Sequence, residues 1–212
     1  METNAVWVVV PIKSFSSAKS RLAPVFGRPQ RQKLAKLMAR RVLKATAACP
    51  QIAGIAVVTA DPLAREIAAG FGAEVCGMAG DEGVNAAAAA GFGFVRQRAA
   101  GVLILPSDIP LVRPDDLSRL LSGPAGACSV TIVADTAGQG TNALLLPSHI
   151  DFEFRFGANS ARNHADSARR AGLEVRFAEF PRMALDIDTP GDVESLRAFD
   201  CSRLDFPATA RA

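Results

Sequence analysis

The chain has 212 residues, 49% of them apolar and 21% charged, with a formal net charge of +3. That length supports one well-buried domain, the composition excludes a disordered chain, and the charge excess is too small for a dedicated nucleic-acid binder. Four cysteines (Cys49, Cys76, Cys128 and Cys201) lack CxxC spacing, and two histidines, His149 and His164, are too few for a histidine-rich metal site. Reduced thiols, the lack of a secretory pattern and the lack of any bilayer-length apolar run predict a cytoplasmic enzyme or binding protein, not a membrane one.

Trp7 to Val10 reads as a first buried strand, stopped by Pro11. The segment from Ile12 to Leu22 then crowds three cations, Lys13, Lys19 and Arg21, together with Ser14, Ser16, Ser17 and Ser20. Cations supply charge while hydroxyls and free N–H groups supply directed donors, so such a loop can hold a polyphosphate; a plain solvated loop is the alternative. It is not a P-loop, because GxxxxGK[ST] is absent. Pro29 to Ala48 carries a helical pattern, with Leu34, Met38 and Val42 at i+4 spacing and basic residues on other faces. Ile55 to Val58 predicts a second strand, and Asp61 with Pro62 predicts the N-cap and first position of a short helix over 63–69, which makes Asp61 a cap rather than a catalyst. Ala73 to Cys76 is a short third strand. Gly80 to Asn85 leads into the run Ala86 to Ala90, where a helix N-terminus offers N–H groups to a base or phosphate and Asn85 either caps the helix or reads a base edge.

Val102 to Leu105 is an unbroken apolar run suited to a strand buried on both faces. Beyond it, Asp108 stands between Pro106 and Pro110. Ligands of open α/β sheets gather outside the carboxyl ends of strands, so this acid can hold a cation or serve as a turn residue. A helix follows from Pro114 to Leu121, with Asp115 and Asp116 favouring its N-terminus. Val130 to Val133 is a strand, Gly138 to Asn142 a tight turn, and Ala143 to Leu146 the strand after it. Phe156 to Ser160 precedes a helix over 161–171, with Ser160 as candidate N-cap and the turn as candidate nest for a carboxylate or phosphate. Val175 to Phe180 reads as a late strand. In the stretch Leu185 to Val193, Asp186 and Asp188 share one face, and Thr189, Pro190 and Asp192 open a helix. From Cys201 onward the chain reads as a loose end. Strands and helices alternate without repeat or linker, which predicts a single α/β domain over 1–212, its core at about 7–198, with a mostly parallel central sheet flanked by helices.

The basic Ser/Lys loop, the strand-end Asp108 and the late Asp188 together suit nucleotidyl transfer. Mg²⁺ prefers one or two carboxylates plus phosphate oxygens, so Asp108 with Asp188 forms a sufficient pair, Asp186 being the less favoured ligand. Lys13, Lys19 and Arg21 would stabilise the developing pyrophosphate, and an anionic acceptor phosphate needs no protein nucleophile.

Val10-Pro11-Ile12-Lys13 followed by Ala18-Lys19-Ser20-Arg21-Leu22 resembles the opening of the 2-phospho-L-lactate guanylyltransferase family of coenzyme F420 biosynthesis, whose bacterial members include phosphoenolpyruvate and 3-phosphoglycerate guanylyltransferases. Gly83-Val84-Asn85-Ala86-Ala87, Ser107-Asp108-Ile109-Pro110-Leu111, Gly140-Thr141-Asn142-Ala143-Leu144, Phe156-Gly157 with Ser160, and Asp186-Ile187-Asp188-Thr189-Pro190 match its further blocks in order. The resemblance implies a Rossmann-like nucleotidyltransferase fold of the nucleotide-diphospho-sugar transferase type. It implies transfer of GMP from GTP to a phosphorylated three-carbon acid, with Mg²⁺ as cofactor. By the same resemblance Pro11, Lys13, Lys19, Arg21, Gly83, Asn85 and Asp108 meet the nucleotide, Thr141, Gly157 and Ser160 cradle the acceptor carboxylate, and Asp108 and Asp188 hold the metal. Ala158 stands where the family pattern has proline, which leaves the acceptor open. Two alternatives also stay open: a related enzyme acting on a sugar phosphate or molybdopterin-type acceptor, and a non-catalytic nucleotide-binding domain. The expected partners are small molecules, with a homodimer left open.

Overall fold

The structure, a computed structural model, describes residues 5–78, 80, 82–123 and 128–196. Among the described residues seven strands form one sheet: β1 (Val6–Pro11), β2 (Ile52–Thr59), β3 (Glu74–Gly77), β4 (Gly101–Ile104), β5 (Ser129–Ala134), β6 (Thr141–Pro147) and β7 (Glu174–Phe177). Their order across the sheet is β3-β2-β1-β4-β6-β5-β7. The first four strands are mutually parallel and β5 runs parallel to β7, whereas β6 is antiparallel to both β4 and β5. The helices are α1 (Arg28–Ala47), α2 (Pro62–Ala69), α3 (Val84–Val95), α4 (Pro114–Leu121), α5 (Ser160–Arg170), α6 (Pro181–Ala184) and α7 (Pro190–Leu196).

The central strands read as continuous apolar runs because both their faces are covered. Val8, Val10, Val57, Leu103 and Leu105 face α1, α2, α4 and α6, while Val9, Ala56, Val58, Val102 and Ile104 face α3 and α5. The small residues of α3 have a packing reason. A Cβ on Gly91 would stand 2.3 Å from Val9 Cγ1 and 2.7 Å from Val58 Cγ2, so the helix lies against the sheet only with glycine there.

Several local expectations hold in detail. Asp61 caps α2 through hydrogen bonds from the Leu63 and Ala64 N–H groups, with Pro62 at the first helical position. Asp115 and Asp116 open α4, and Asp116 is buried and ion-paired to Arg182 of α6. Thr189 and Asp192 hydrogen-bond each other at the start of α7.

Others are corrected. Ser160 is the first residue of α5 rather than its cap; the cap position is Asn159, in the left-handed conformation at φ 55°. Asn85 lies inside α3, because Gly83, at φ 88°, supplies the cap in a region that suits glycine. Thr141 and Asn142 belong to β6, not to the turn before it. The late strand ends at Phe177, since Pro181 opens α6, an element with too few periodic residues to be read from sequence. The expected loose tail from Cys201, and Cys201 itself, lie outside the described residues.

Candidate active site

The sheet changes direction of connection at β1 and β4: the chain leaves β1 for β2 on one side, and β4 lies on the other. Crevices for ligands form at such points, outside the strand carboxyl ends. The loop after β1 and the loop after β4 both open there. They line a cleft of about 1050 Å³ that also takes in the α3 N-terminus, the β5–β6 turn, the turn before α5 and the segment from Asp186 to Asp192.

Three carboxylates converge in it. One ligand oxygen each of Asp108, Asp186 and Asp188 lies within 4.8 Å of the others. The convergence follows from backbone and core. The Ile187 N–H donates to the Asp108 carbonyl at 3.1 Å, tying the two acidic segments together. Leu185 and Ile187 alternate with the acids and are buried with Leu22, Phe26, Leu34 and Met38, so the apolar residues turn into a small core and the aspartates face the cleft. Leu22 closes the basic loop, so the same core fixes the cations against the acids.

Lys19 is the counter-charge. Its Nζ donates to Asp108 Oδ2 and Asp188 Oδ1, each at 2.7 Å, with only 9% of its side chain exposed. Burial disfavours the charged amine, but the Asp108 and Asp188 charges and hydrogen bonds outweigh it and hold the pKa above its ordinary value. Lys19 itself takes a left-handed backbone conformation at φ 57°, uncommon outside glycine, at the turn that aims its side chain. Arg21 Nη1 stands 3.6 Å from Asp188 Oδ2 with 74% of its side chain exposed. Asp186 is placed differently. Asn142 Nδ2 donates to it at 3.1 Å and to the Ala184 carbonyl at 2.9 Å. Burial raises the Asp186 pKa to about 6; the Asn142 amide works against this rise and the neighbouring charges of Asp108 and Asp188 add to it. Hard oxygen ligands in this number suit a divalent cation such as Mg²⁺.

Asp61 does more than cap. Its second oxygen accepts from the Ser14 hydroxyl at 3.1 Å and the Phe15 N–H at 2.9 Å, fixing the start of the basic loop onto the end of β2. Burial alone would raise its pKa, yet the Phe15 and Ala64 N–H groups, with Ser14 and Leu63, hold it below the ordinary carboxylate value.

Thr141 and Asn142 stand beside the acids because β6 is antiparallel to β4, with Leu144 opposite Ile104; the beginning of β6 therefore meets the end of β4. Thr141 Oγ1 lies 3.0 Å from His164 Nδ1. The turn before α5 uses Gly157 at φ 116°, a conformation that disfavours any side chain, and Ser160 is 1% exposed at the foot of the helix. The Ala161 N–H donates to the Gln139 carbonyl at 3.0 Å, joining this turn to the β5–β6 turn.

Pro11, Lys13, Lys19, Arg21, Gly83, Asp108, Thr141, Gly157, Ser160, Asp186 and Asp188 all line this one cleft. Asn85 does not. Its Oδ1 accepts from the Phe156 N–H at 2.6 Å and its Nδ2 donates to the Phe156 carbonyl at 3.2 Å. The amide holds the Gly157 turn against α3. Sequence reasoning missed Asn142, His164 and the second role of Asp61. Only Asn142 carried a signal, its place directly after Thr141; His164 has no motif around it.

Comparison with known proteins agrees with this arrangement. The family model for "Guanylyl transferase CofC like" proteins matches residues 6–198. The phosphoenolpyruvate guanylyltransferase of Conexibacter woesei is 37% identical over 201 residues, covering 94% of this chain and 90% of that one. The phosphoenolpyruvate guanylyltransferase of Rubrobacter xylanophilus is 39% identical over 196 residues, covering 92% and 94%. In fold, the chain is similar to a nucleotidyl transferase from Methanothermobacter thermautotroptrophicus, with TM-score 0.67, 19% identity and coverage of 92% of this chain and 97% of that one. It is also similar to a CMP:2-keto-3-deoxy-manno-octonic acid synthetase, with TM-score 0.63, 17% identity and coverage of 94% and 100%. The α/β sheet with its cleft is thus a nucleotidyltransferase fold, and the chain belongs to the CofC-like guanylyl transferase family.

Proposed function

We propose that this chain, acting as a single nucleotidyltransferase domain, transfers GMP from GTP to the phosphate of a phosphorylated three-carbon carboxylate, phosphoenolpyruvate first among them. An acceptor phosphate oxygen attacks the α-phosphorus, the bond from that phosphorus to the β-phosphate oxygen breaks, and pyrophosphate leaves. The observation that carries the reading is one cleft holding both Lys19 between Asp108 and Asp188 and the group Thr141, Gly157 and Ser160. The first group suits phosphates and their counter-ion, and the second suits a small carboxylate.

Within this reading Lys13, Lys19 and Arg21 take up the negative charge that develops on the departing pyrophosphate. Pro11 and Gly83 flank the nucleotide, whose base would lie near the α3 N-terminus. Asp108, Asp186 and Asp188 would hold Mg²⁺, which when bound supplies charge neutralisation at the phosphates. The product fits the coenzyme F420 route that the family resemblance implies. The free thiols of Cys49, Cys76 and Cys128 suit a reducing cytoplasm.

The test is incubation with GTP, Mg²⁺ and each of phosphoenolpyruvate, 2-phospholactate and 3-phosphoglycerate, followed by pyrophosphate release and mass spectrometry of the product. Pyrophosphate with phosphoenolpyruvate and a GMP-linked product is expected. Its absence with every acceptor and every nucleoside triphosphate would end the reading.

A further inference from the structure

The proposed acceptor contact Thr141 rests on a histidine that no motif singles out. His164, on α5, is wholly buried. Its ring packs edge-on against Phe156, with centroids 4.5 Å apart, and close to Phe152. Both ring nitrogens are committed. Nε2 accepts the Arg155 backbone N–H at 2.9 Å, and Nδ1 lies 3.0 Å from Thr141 Oγ1.

The roles along this chain of bonds are fixed in sequence. A backbone N–H only donates, so Nε2 must carry a lone pair. Burial among aromatic rings pushes the His164 pKa down to about 4, so the imidazole is neutral at physiological pH. A neutral imidazole that accepts at Nε2 carries its hydrogen on Nδ1. Nδ1–H therefore donates to Thr141 Oγ1. With its oxygen engaged as acceptor of that bond, the Thr141 hydroxyl retains its own hydrogen for the cleft. The other tautomer would turn the hydroxyl hydrogen back to the ring and present lone pairs to any anion.

We infer that His164 is a positioning residue that fixes the Thr141 hydroxyl as a hydrogen-bond donor toward the carboxylate of the acceptor. The inference rests on the proposed reading of Thr141 as an acceptor contact. A carboxylate at neutral pH accepts hydrogen bonds only, so the direction of a single hydroxyl decides between attraction and repulsion. His164 also fastens the Arg155 backbone, which leads into Phe156 and Gly157. One ring thus sets both the donor and the turn on which the acceptor would sit.

The two halves of the ring can be replaced separately. His164→Asn keeps an amide donor near the Nδ1 position and loses the acceptor for Arg155. His164→Gln places its amide carbonyl near the Nε2 position and loses the donor to Thr141. Steady-state kinetics with GTP, Mg²⁺ and phosphoenolpyruvate would be measured for both and for Thr141→Val, with GTP binding followed independently by calorimetry. The acceptor KM is expected to rise about tenfold or more in His164→Gln and Thr141→Val, and less than about threefold in His164→Asn, as one charge-assisted hydrogen bond is lost or kept. GTP affinity should be unchanged throughout, and His164→Gln should add nothing in a Thr141→Val background. Equal acceptor KM values for the Asn and Gln variants, or a parallel loss of GTP affinity, would overturn the positioning role. An unchanged acceptor KM in Thr141→Val would instead overturn the acceptor reading of Thr141, and the positioning role with it.

Discussion

At the scale of single residues, charge compensation governs the cleft. Asp108, Asp186 and Asp188 repel one another, and Lys19 offsets the repulsion by standing between two of them. Lys19→Met should leave a folded protein whose kcat falls about 10²–10³-fold, the usual cost of losing one preorganised charge at a reacting centre. Lys19→Arg should not restore it, because the guanidinium is a planar fork where a compact ammonium fits. Asp108→Asn removes one of the three clustered charges and, on the proposed role in holding Mg²⁺, should lower turnover by about 10³-fold or more; single-turnover pyrophosphate release checks both. His164 supplies a stability prediction. Its pKa in the folded protein is depressed to about 4 from 6.5, so the unfolded chain binds the proton more readily. That contribution is fully present above pH 6.5 and is lost as pH falls toward 4, on the order of 3 kcal/mol at full loss. Asp186, whose pKa is raised to about 6, takes up its proton in the same range with the opposite sign, so the decline is read as the difference between wild type and His164→Asn in urea unfolding between pH 7 and 4.5. Asp61, whose pKa is depressed below 3.8, loses its contribution only at lower pH, so the two windows are separable.

At the scale of elements, the site depends on how few groups fasten each loop. Asp61 holds α2 with one carboxylate oxygen and the basic loop with the other. Asp61→Ala should therefore cost about 1–2 kcal/mol as a lost cap and also raise the GTP KM, which a cap acting alone would not do. Asp61→Asn should recover part of both. The α3 helix is held by shape rather than charge. Gly91→Ala introduces a methyl group 2.3 Å from Val9 Cγ1 in the sheet, and should destabilise by about 1–3 kcal/mol in equilibrium unfolding. The short helix α6 is anchored by Met183 in the core and by Arg182, which donates to both Asp116 oxygens at 2.8 and 2.5 Å. Arg182→Met leaves Asp116 buried without its partner, at a cost on the order of 3 kcal/mol. Since α6 leads directly to Leu185, such a loss should also loosen the Asp186–Asp188 segment.

At the scale of the whole molecule, the cleft assembles groups from every quarter of the chain. The loop after β1, the loop after β4, the start of β6, the turn before α5 and the segment before α7 meet beyond the carboxyl ends of the central strands β1 and β4. Most of that list was legible in the sequence, and for a physical reason. Strands buried on both faces appear as apolar runs, and the polar residues just beyond their ends are where a parallel sheet exposes its chemistry. Lys13, Lys19, Arg21 and Asp108 were found in this way. Asp188 was found with Asp186 because alternation along an extended segment puts both on one face. Neither argument reaches His164, which lies inside a helix among polar neighbours in sequence and becomes a site residue only when Thr141 and Arg155 are brought to its two nitrogens.

The amino-acid sequence by itself determined the alternating elements, the apolar layers, the caps at Asp61 and Thr189 and the residues that carry charge to the cleft, because each is fixed by local periodicity or by groups a few positions apart. Only the tertiary structure decided that β6 runs antiparallel, which puts Thr141 and Asn142 beside Asp108. It also decided that Lys19 sits between Asp108 and Asp188, that Asn142 reaches Asp186, that Asn85 holds Phe156, and that His164 meets Thr141. These are contacts between residues 20 or more positions apart. Their partners are selected by the packing of the sheet and its helices, and no local pattern in the chain encodes such a choice.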